Sequence, residues 1–280
     1  MIEPQNAFPS QNTYDSAAAQ LPAVSELREL WRYRDLLRLL VANRIKTRYK
    51  RSALGVVWTL LNPLLTTLVL TIAFSYLLRF ELKNYPIYLL VGLLFWNFFN
   101  QTTNDAMHTL IWGSSLIKRI YVPRAVFAVA VTGNGLINFL FALIPLLVIM
   151  LGFHHPIRPT LLLLPVAILL MSMFTLGFSL LVSTLAVFFV DFVDLLGVIL
   201  SAWFYLTPII YPATIIPEKY LPFIQLNPLN NLLGLFRSLI YLGEIPAPLS
   251  WLKAAVIASV TLAVGWWIFT RKVDEFAYRI

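Results

Sequence analysis

The sequence predicts an all-α, polytopic membrane protein with six transmembrane helices, an N-terminal amphipathic interfacial helix and an outer re-entrant helical hairpin between helices 5 and 6. Three observations favour this fold class. Hydrophobic residues make up 59% of the 280 residues and charged residues only 12%, about half the charged fraction of a soluble domain. Apolar stretches of about 20 residues, enough to cross a hydrocarbon core as a helix, occur at six places. Most of the cations, finally, fall on one side of that topology.

The amino-terminal region divides into a tail and a basic helix. Residues 1–24 contain no Lys or Arg, so they predict a disordered cytoplasmic tail and not a secretory signal. Ser25 is a plausible N-cap, and apolar residues then recur at helical spacing through residues 25–47. Nine cations crowd the stretch from Arg28 to Arg51, which suits a helix lying among anionic headgroups. Nucleic-acid binding is the alternative, but the basic run leads directly into a span, so we expect membrane lipids and no nucleic acid as partner.

Six candidate spans follow, and their flanking charges orient them. They cover about residues 56–78, 86–107, 125–151, 161–187, 195–211 and 251–270. An even number of spans puts both termini on the same side. Of the 21 Lys and Arg residues, 15 fall on that side and 6 on the other. The positive-inside rule therefore predicts that both termini are cytoplasmic, and the net charge of +8 needs no nucleic acid to explain it.

The segment of residues 212–250 is too apolar for an aqueous loop and too short to span twice. One helix is expected from Asn227 as N-cap, with Pro228 at the first position, to about Leu242. A shorter helix is expected before it, between about Pro217 and Leu226. Two short apolar helices predict a re-entrant hairpin that enters from outside and lies against a pathway, since backbone turns at membrane depth must be buried in protein or line a wet cavity. An amphipathic pair lying flat on the outer leaflet is the alternative.

A cationic loop, residues 112–124, joins the second and third spans on the predicted cytoplasmic side. It either serves orientation alone or forms a short helix that presents Lys118, Arg119 and Tyr121 to a cytosolic partner.

Ionisable residues near the spans are few, and none forms a convincing relay. Asp105, Asp191 and Asp194 lie near predicted span ends, where water can reach them. His154 and His155 are adjacent in an outer loop with no third metal ligand nearby, so no metal site is expected. The sequence has no phosphate-binding loop, no HExxH and no GxSxG motif, so we expect no catalytic residue, and any ATP must be bound by another chain.

Aromatic residues form 14% of the chain and cluster in two spans. Helix packing explains them, and so does a conduit in which rings stack on the apolar faces of sugars. The candidate channel aromatics are Phe95, Trp96, Phe99, Trp203 and Tyr205.

Several motifs resemble, in order, those of type-2 ABC exporter permeases, most closely the polysaccharide, O-antigen and teichoic acid exporters. Residues 48–58 with 61–64 resemble that family's first-span signature, residues 118–124 its coupling segment and residues 206–212 its fifth-span end. Residues 226–229 with Arg237, and residues 269–277, are also similar to the family pattern. The similarity covers about residues 25–280. One departure is Val190, which stands before Asp191 where the family often has Arg, so no ion-pair role is assigned to Asp191 or Asp194.

The resemblance implies a single transmembrane domain, residues 25–280, that forms a homodimer in the bacterial inner membrane and pairs with two copies of a cytosolic ABC ATPase. ATP and Mg are then bound by that partner, and this chain needs no cofactor. Coupling is implied for Lys118, Arg119, Tyr121, Pro123 and Arg124. The implied residues of the interfacial helix and first-span motif are Arg44, Arg48, Tyr49, Arg51, Gly55 and Trp58.

The expected function is export of an undecaprenyl-linked polysaccharide such as O-antigen from the cytoplasm, by a permease subunit that is not itself an enzyme. Teichoic acid, a glycolipid or a small hydrophobic compound is an alternative cargo. A membrane-embedded polyprenyl-sugar transferase is an alternative of another class; it would need carboxylates or histidines converging at one membrane face.

Overall fold

A computed structural model describes residues 22–49, 57–78, 84–112 and 123–276. Within these ranges the chain is helical and contains no strand. The α-helices are α1 Pro22–Arg32, α2 Arg34–Tyr49, α3 Val57–Leu78, α4 Tyr85–Trp112, α5 Arg124–Gly152, α6 Leu164–Phe188, α7 Phe192–Leu206, α8 Leu221–Leu226, α9 Pro228–Phe236 and α10 Pro248–Lys272. The all-α fold class is confirmed.

The amphipathic region is two helices where the sequence predicts one. α1 begins at Pro22, before the expected N-cap at Ser25, because proline suits the first turn, where its missing N–H has no partner to lose. Tyr33 divides α1 from α2. α1 lies against α10 and α2 against α5, so both helices pack on the bundle.

α4 is the central helix of the bundle and contacts α3, α5 and α6. Its first half is almost wholly buried: Ile87, Leu89, Leu90, Phe95 and Phe99 have no exposed surface. α4 is also longer than the predicted span 86–107, since it continues to Trp112. The core of the protein therefore surrounds the first half of α4.

α6 and α10 meet through their backbones. Gly177 of α6 and Gly265 of α10 face each other so closely that a Cβ on Gly265 would collide with the Gly177 carbonyl oxygen. A Cβ on Gly177 would lie 2.5 Å from Leu262 Cα and N. Small residues allow this approach, as in other membrane helix pairs.

Three helical segments of the described part are long and apolar enough to cross a membrane, namely Arg124–Gly152, Pro159–Phe188 and Pro248–Lys272. At most 33% of their most apolar windows is buried inside the protein. Large apolar side chains point outward from each of them, including Val148 (63% exposed), Leu169 (59%) and Val260 (55%). Surfaces this apolar need lipid as solvent, so the fold is that of a membrane protein.

α7 stops before the predicted end of the fifth span at residue 211. It is 15 residues long and ends at Leu206. Thr207 is extended, with φ −98° and ψ 129°, because the residue before a proline, here Pro208, is disfavoured in a helix. Residues 207–211 therefore continue from α7 as irregular backbone.

The region between α7 and α10, residues 207–247, we call the α7–α10 segment. It contains single turns at Ala213–Ile215 and Glu218–Tyr220, then α8 and α9. The predicted N-cap is confirmed: the Asn227 side chain accepts a hydrogen bond from Leu229 N, with Pro228 at the first position of α9. A wider turn, Arg237–Leu242, extends α9 and ends at Gly243, whose φ is 65°. This left-handed conformation favours glycine.

Candidate functional site

The predicted coupling residues are only partly described. Lys118, Arg119 and Tyr121 lie outside the described residues. Pro123 is buried and directly precedes α5, and Arg124 is the first residue of that helix. Arg124 Nη1 donates a hydrogen bond to Val273 O at 2.9 Å, and its guanidinium lies over the Phe276 ring at 5.4 Å. The start of α5 is thus fixed to the turn that follows α10.

The interfacial and first-span residues are described to different degrees. Arg51 and Gly55 lie outside the described residues. Arg48 and Tyr49 lie in α2 and Trp58 in α3, but their side chains are outside the described set. Arg44 is the one member of the predicted group whose side-chain contacts are described, and it lines a cavity.

That cavity, which we call the polar pocket, has a volume of about 570 Å³ and lies between α2, α4 and α5. The described residues that line it are all polar: Arg44 and Thr47 from α2, Asn100, Gln101, Asn104 and Asp105 from α4, and Asn134 from α5. Thr47 and Gln101 are exposed, so the pocket opens at the protein surface. An all-polar lining is unexpected in a chain this apolar.

The two charges of the polar pocket are paired with each other. Arg44 Nη2 lies 3.8 Å from Asp105 Oδ2 and donates a hydrogen bond to Thr109 Oγ1 at 3.3 Å. Both charged side chains remain partly exposed, at 39% and 48%. The pair therefore attaches α2 to α4, and the lining residues that the structure describes carry no net charge.

The amides of the polar pocket retain hydrogen-bonding capacity. Asn104 Nδ2 donates to Asn100 Oδ1 at 2.9 Å and to Asn100 O at 2.8 Å. Asn134 is 4% exposed, and its Oδ1 has no hydrogen-bond partner among the described residues. Buried polar atoms are normally satisfied, so the Asn134 oxygen is available to a bound molecule.

The pocket around Asp105 was not predicted from the sequence, which singled out Asp105 alone. The available signal was the spacing of Asn100, Asn104 and Asp105 along one face of a helix, beside an otherwise apolar half. The contribution of Arg44 and Asn134 requires the packing of three helices and has no sequence signal.

The candidate channel aromatics lie in different environments. Phe95 and Phe99 are fully buried and Trp96 is 6% exposed. Phe99 is in edge contact with Trp203, with ring centroids 5.6 Å apart. Trp203 is half-buried, and these contacts favour the packing interpretation for the four rings within one subunit. Tyr205, by contrast, is 66% exposed.

Arg237 organises a cluster that the sequence analysis did not predict. We call Arg237, Tyr85, Tyr88 and the backbone of residues 208–211 the Arg237 cluster. The guanidinium lies 3.8 Å from the centre of the Tyr88 ring, and Nη2 donates to Ile209 O at 3.0 Å. Tyr85 OH donates to Ile210 O at 2.7 Å. Tyr88 OH lies within 3.0 Å of Tyr211 O.

These contacts satisfy the irregular backbone that follows α7. Three successive carbonyl groups, which a helix would have satisfied internally, accept hydrogen bonds from side chains of α4 and of the turn after α9. Ile209 is fully buried and Ile210 is 8% exposed, so their carbonyls would otherwise lack water as a partner. The Arg237 cluster thus fixes residues 208–211 to the start of α4.

Asn227 joins the same region from the other side. Its Oδ1 accepts hydrogen bonds from Trp203 Nε1 at 2.9 Å and from Leu229 N at 3.0 Å. Its Nδ2 donates to Thr207 Oγ1 at 2.9 Å. One side chain therefore connects the end of α7 with the start of α9.

The remaining titratable candidates form no relay. Asp191 and Asp194 are exposed at the start of α7. His155 is placed structurally, with Nε2 3.2 Å from Ile240 O and Nδ1 3.3 Å from Asn84 Nδ2. No group of three or more His, Cys, Asp or Glu residues that could hold a metal occurs in the described ranges.

The helical bundle with outward apolar faces defines the class, an all-helical membrane protein. The chain belongs to the ABC-2 type transporter family, whose model matches residues 35–241. It is 31% identical over 258 residues to the O-antigen export system permease protein RfbA of Myxococcus xanthus, covering 91% of this chain and 98% of that protein.

Other relatives carry related names. An O-antigen export system permease protein RfbA of Klebsiella pneumoniae is 32% identical over 214 residues, covering 75% of this chain and 82% of the relative. The polysialic acid transport protein KpsM of Escherichia coli is 25% identical over 232 residues, covering 81% of this chain and 89% of that protein.

Proposed function

We propose that this chain is the membrane subunit of an ATP-driven exporter that moves an undecaprenyl-linked polysaccharide, such as O-antigen, out of the cytoplasm. The observation that carries the proposal is the similarity to an O-antigen export permease over 91% of this chain and 98% of the relative. Agreement over nearly the full length of both proteins argues for a shared task as well as a shared fold. ATP hydrolysis belongs to a separate ATPase subunit, present in two copies beside a homodimer of this chain.

The proposed topology has six spans in the inner membrane, with both termini in the cytoplasm. Three spans are the long apolar segments Arg124–Gly152, Pro159–Phe188 and Pro248–Lys272. The other three are α3, α4 and α7, of 22, 28 and 15 residues. The α7–α10 segment then lies at the outer side as the re-entrant hairpin. The hydrogen bonds of the Arg237 cluster support this arrangement, because irregular backbone at membrane depth must be satisfied by protein.

In this arrangement Tyr205 is the candidate aromatic with a surface left for the cargo, since it is 66% exposed. Phe95, Trp96 and Phe99 then support the path from inside the bundle.

Loss of this chain should block export of the polysaccharide. Deleting the gene in the bacterium that carries it should leave polymer synthesis intact and trap lipid-linked polysaccharide in the cytoplasm, because the path is lost and the synthetic enzymes are not. Surface polymer by immunoblot and lipid-linked glycan in the membrane fraction check this, with plasmid complementation as control. Polymer that still reaches the surface, or polymer that is no longer made, would contradict the proposal. The second outcome would favour the transferase alternative.

The coupling role of residues 118–124 is part of the proposal. It is supported by the hydrogen bond from Arg124 to Val273 O, which links the end of this loop to the turn that follows α10. Replacing Lys118, Arg119 and Tyr121 together by alanine should lower glycan-stimulated ATPase activity at least about tenfold while the protein still inserts. The reason is that a few residues usually carry most of the binding energy of a protein interface.

Stimulated ATPase activity of the reconstituted complex checks the coupling prediction. Lys253→Ala, a cation of α10 on the proposed outer side, is the matched control. Wild-type stimulation in the triple variant would remove the coupling role from this loop.

A polysaccharide of the polysialic acid type is the second candidate cargo, favoured by the similarity to the polysialic acid transport protein over 81% of this chain. The polymer that accumulates in the deletion strain distinguishes the two.

A further inference from the structure

The polar pocket stands apart from the rest of the bundle, since its described lining residues are all polar in a predominantly apolar protein. Its volume of about 570 Å³ lies within the range of about 300–1,000 Å³ usual for ligand sites. Resting on the proposed function, we propose that this pocket binds sugar hydroxyl groups of the exported glycan at the cytoplasmic entrance of the path.

The chemistry of the lining selects hydroxyl groups over phosphate. Arg44 is the cation among the described lining residues, and Asp105 lies 3.8 Å from it. A phosphate approaching Arg44 would therefore meet the Asp105 carboxylate and be repelled. A hydroxyl can donate to that carboxylate and carries no charge of its own. The ion pair thus leaves a site for neutral polar groups.

The amides supply the matching donors and acceptors. Asn100, Gln101 and Asn104 lie along one face of α4, and each amide can both donate and accept, as a hydroxyl can. Asn134 faces them from α5 with a buried Oδ1 that has no partner in the described part of the chain. An unsatisfied buried acceptor carries a desolvation penalty, and a sugar hydroxyl would remove it.

The position of the polar pocket fits an entrance. α4 ends at Trp112, on the proposed cytoplasmic side, and Asn100 lies 12 residues earlier, about 18 Å along the helix. Thr47, from the helix proposed to lie at the interface, forms its exposed rim. A glycan can therefore reach the pocket from the cytoplasmic face.

The test compares two substitutions that each remove an unsatisfied buried polar atom. Asn134→Leu removes one inside the pocket. Thr175→Val removes another on α6, outside the pocket, where Thr175 is fully buried and its Oγ1 also lacks a partner among the described residues. Both variants should assemble, because replacing an unpaired polar group by an apolar one of similar shape is close to neutral. Gln101→Ala is a further pocket variant whose exposed side chain contributes little to folding.

The measurement uses the full complex with its ATPase in lipid nanodiscs. The probes are lipid-linked glycan extracted from the source bacterium and undecaprenyl pyrophosphate without glycan. Asn134→Leu and Gln101→Ala should raise the glycan concentration for half-maximal ATPase stimulation about tenfold, with the maximum unchanged, as expected for the loss of a hydrogen bond to the ligand. Thr175→Val should match the wild type.

The other possible outcomes would contradict the proposal in different ways. An unchanged half-maximal concentration in both pocket variants overturns the assignment, as does an equal shift in Thr175→Val. Stimulation by undecaprenyl pyrophosphate alone, with the same shift in Asn134→Leu, overturns sugar recognition and assigns the pocket to the phosphates. If the wild-type complex responds to neither probe, the proposed function itself fails and the inference falls with it.

Discussion

Replacing Gly265 by leucine should prevent α6 and α10 from packing and sharply reduce the amount of folded protein in the membrane. The cause is steric, because even a Cβ at this position would collide with the Gly177 carbonyl oxygen. Backbone atoms cannot rotate away as a side chain can, so the helices must separate. We expect a loss of about 3 kcal/mol, at the upper end of the range for overpacked cores.

The thermal midpoint of the purified protein, together with its yield in the membrane fraction, checks this expectation. Gly234→Ala is the matched control, since Gly234 is also helical and nothing lies within 4 Å of a Cβ built there. This control should be neutral or slightly stabilising, as alanine favours helices over glycine. A wild-type midpoint for Gly265→Leu would show that the two helices are not held at this distance.

Replacing Arg237 by alanine should release residues 208–211 from α4 and abolish export. The substitution removes the hydrogen bond to Ile209 O and the cation stacked on Tyr88. Hydrogen bonds to charged groups contribute about 1.5–3 kcal/mol each, and the buried Ile209 carbonyl would be left without a donor. Arg237→Lys should recover only part of the function, since a lysine ammonium cannot both stack on a ring and donate in the geometry of a planar guanidinium.

The absence of cysteine from the sequence makes this prediction directly measurable. A cysteine placed at Ile210, which is 8% exposed, should be protected from a membrane-impermeant thiol reagent in the parent and labelled after Arg237→Ala. Lys219→Ala is the control, because Lys219 is a second cation of the same segment but is exposed. Continued protection at position 210, with normal export, would contradict a bracing role for Arg237.

Much of the secondary structure could be predicted because the signals are local. The Asn227-Pro228 pair marks the start of α9 through a cap that depends on neighbouring residues alone. The end of α7 was predicted five residues too late, because the apolar run continues past the point where the helix ends. Pro208 was the local signal for the earlier end, since the residue before a proline is disfavoured in a helix.

The candidate sites were less predictable because they depend on residues distant in sequence. Tyr88 and Arg237 are separated by about 150 positions, and no periodicity links them. The polar pocket brings Arg44 within reach of Asp105 through the packing of α2 on the bundle. The clustering of aromatic residues singled out Phe95 and Phe99 as candidates to line a channel. It does not determine which face of their helix is buried in the bundle.

The glycine contact between α6 and α10 bears on how such a protein can change shape. Side chains at an ordinary helix interface can switch rotamers and so absorb a sliding motion, whereas two backbones in direct contact have no such freedom. We therefore expect α6 and α10 to move as one rigid body during a working cycle. We expect the displacement that opens a path to occur between other helices of the bundle.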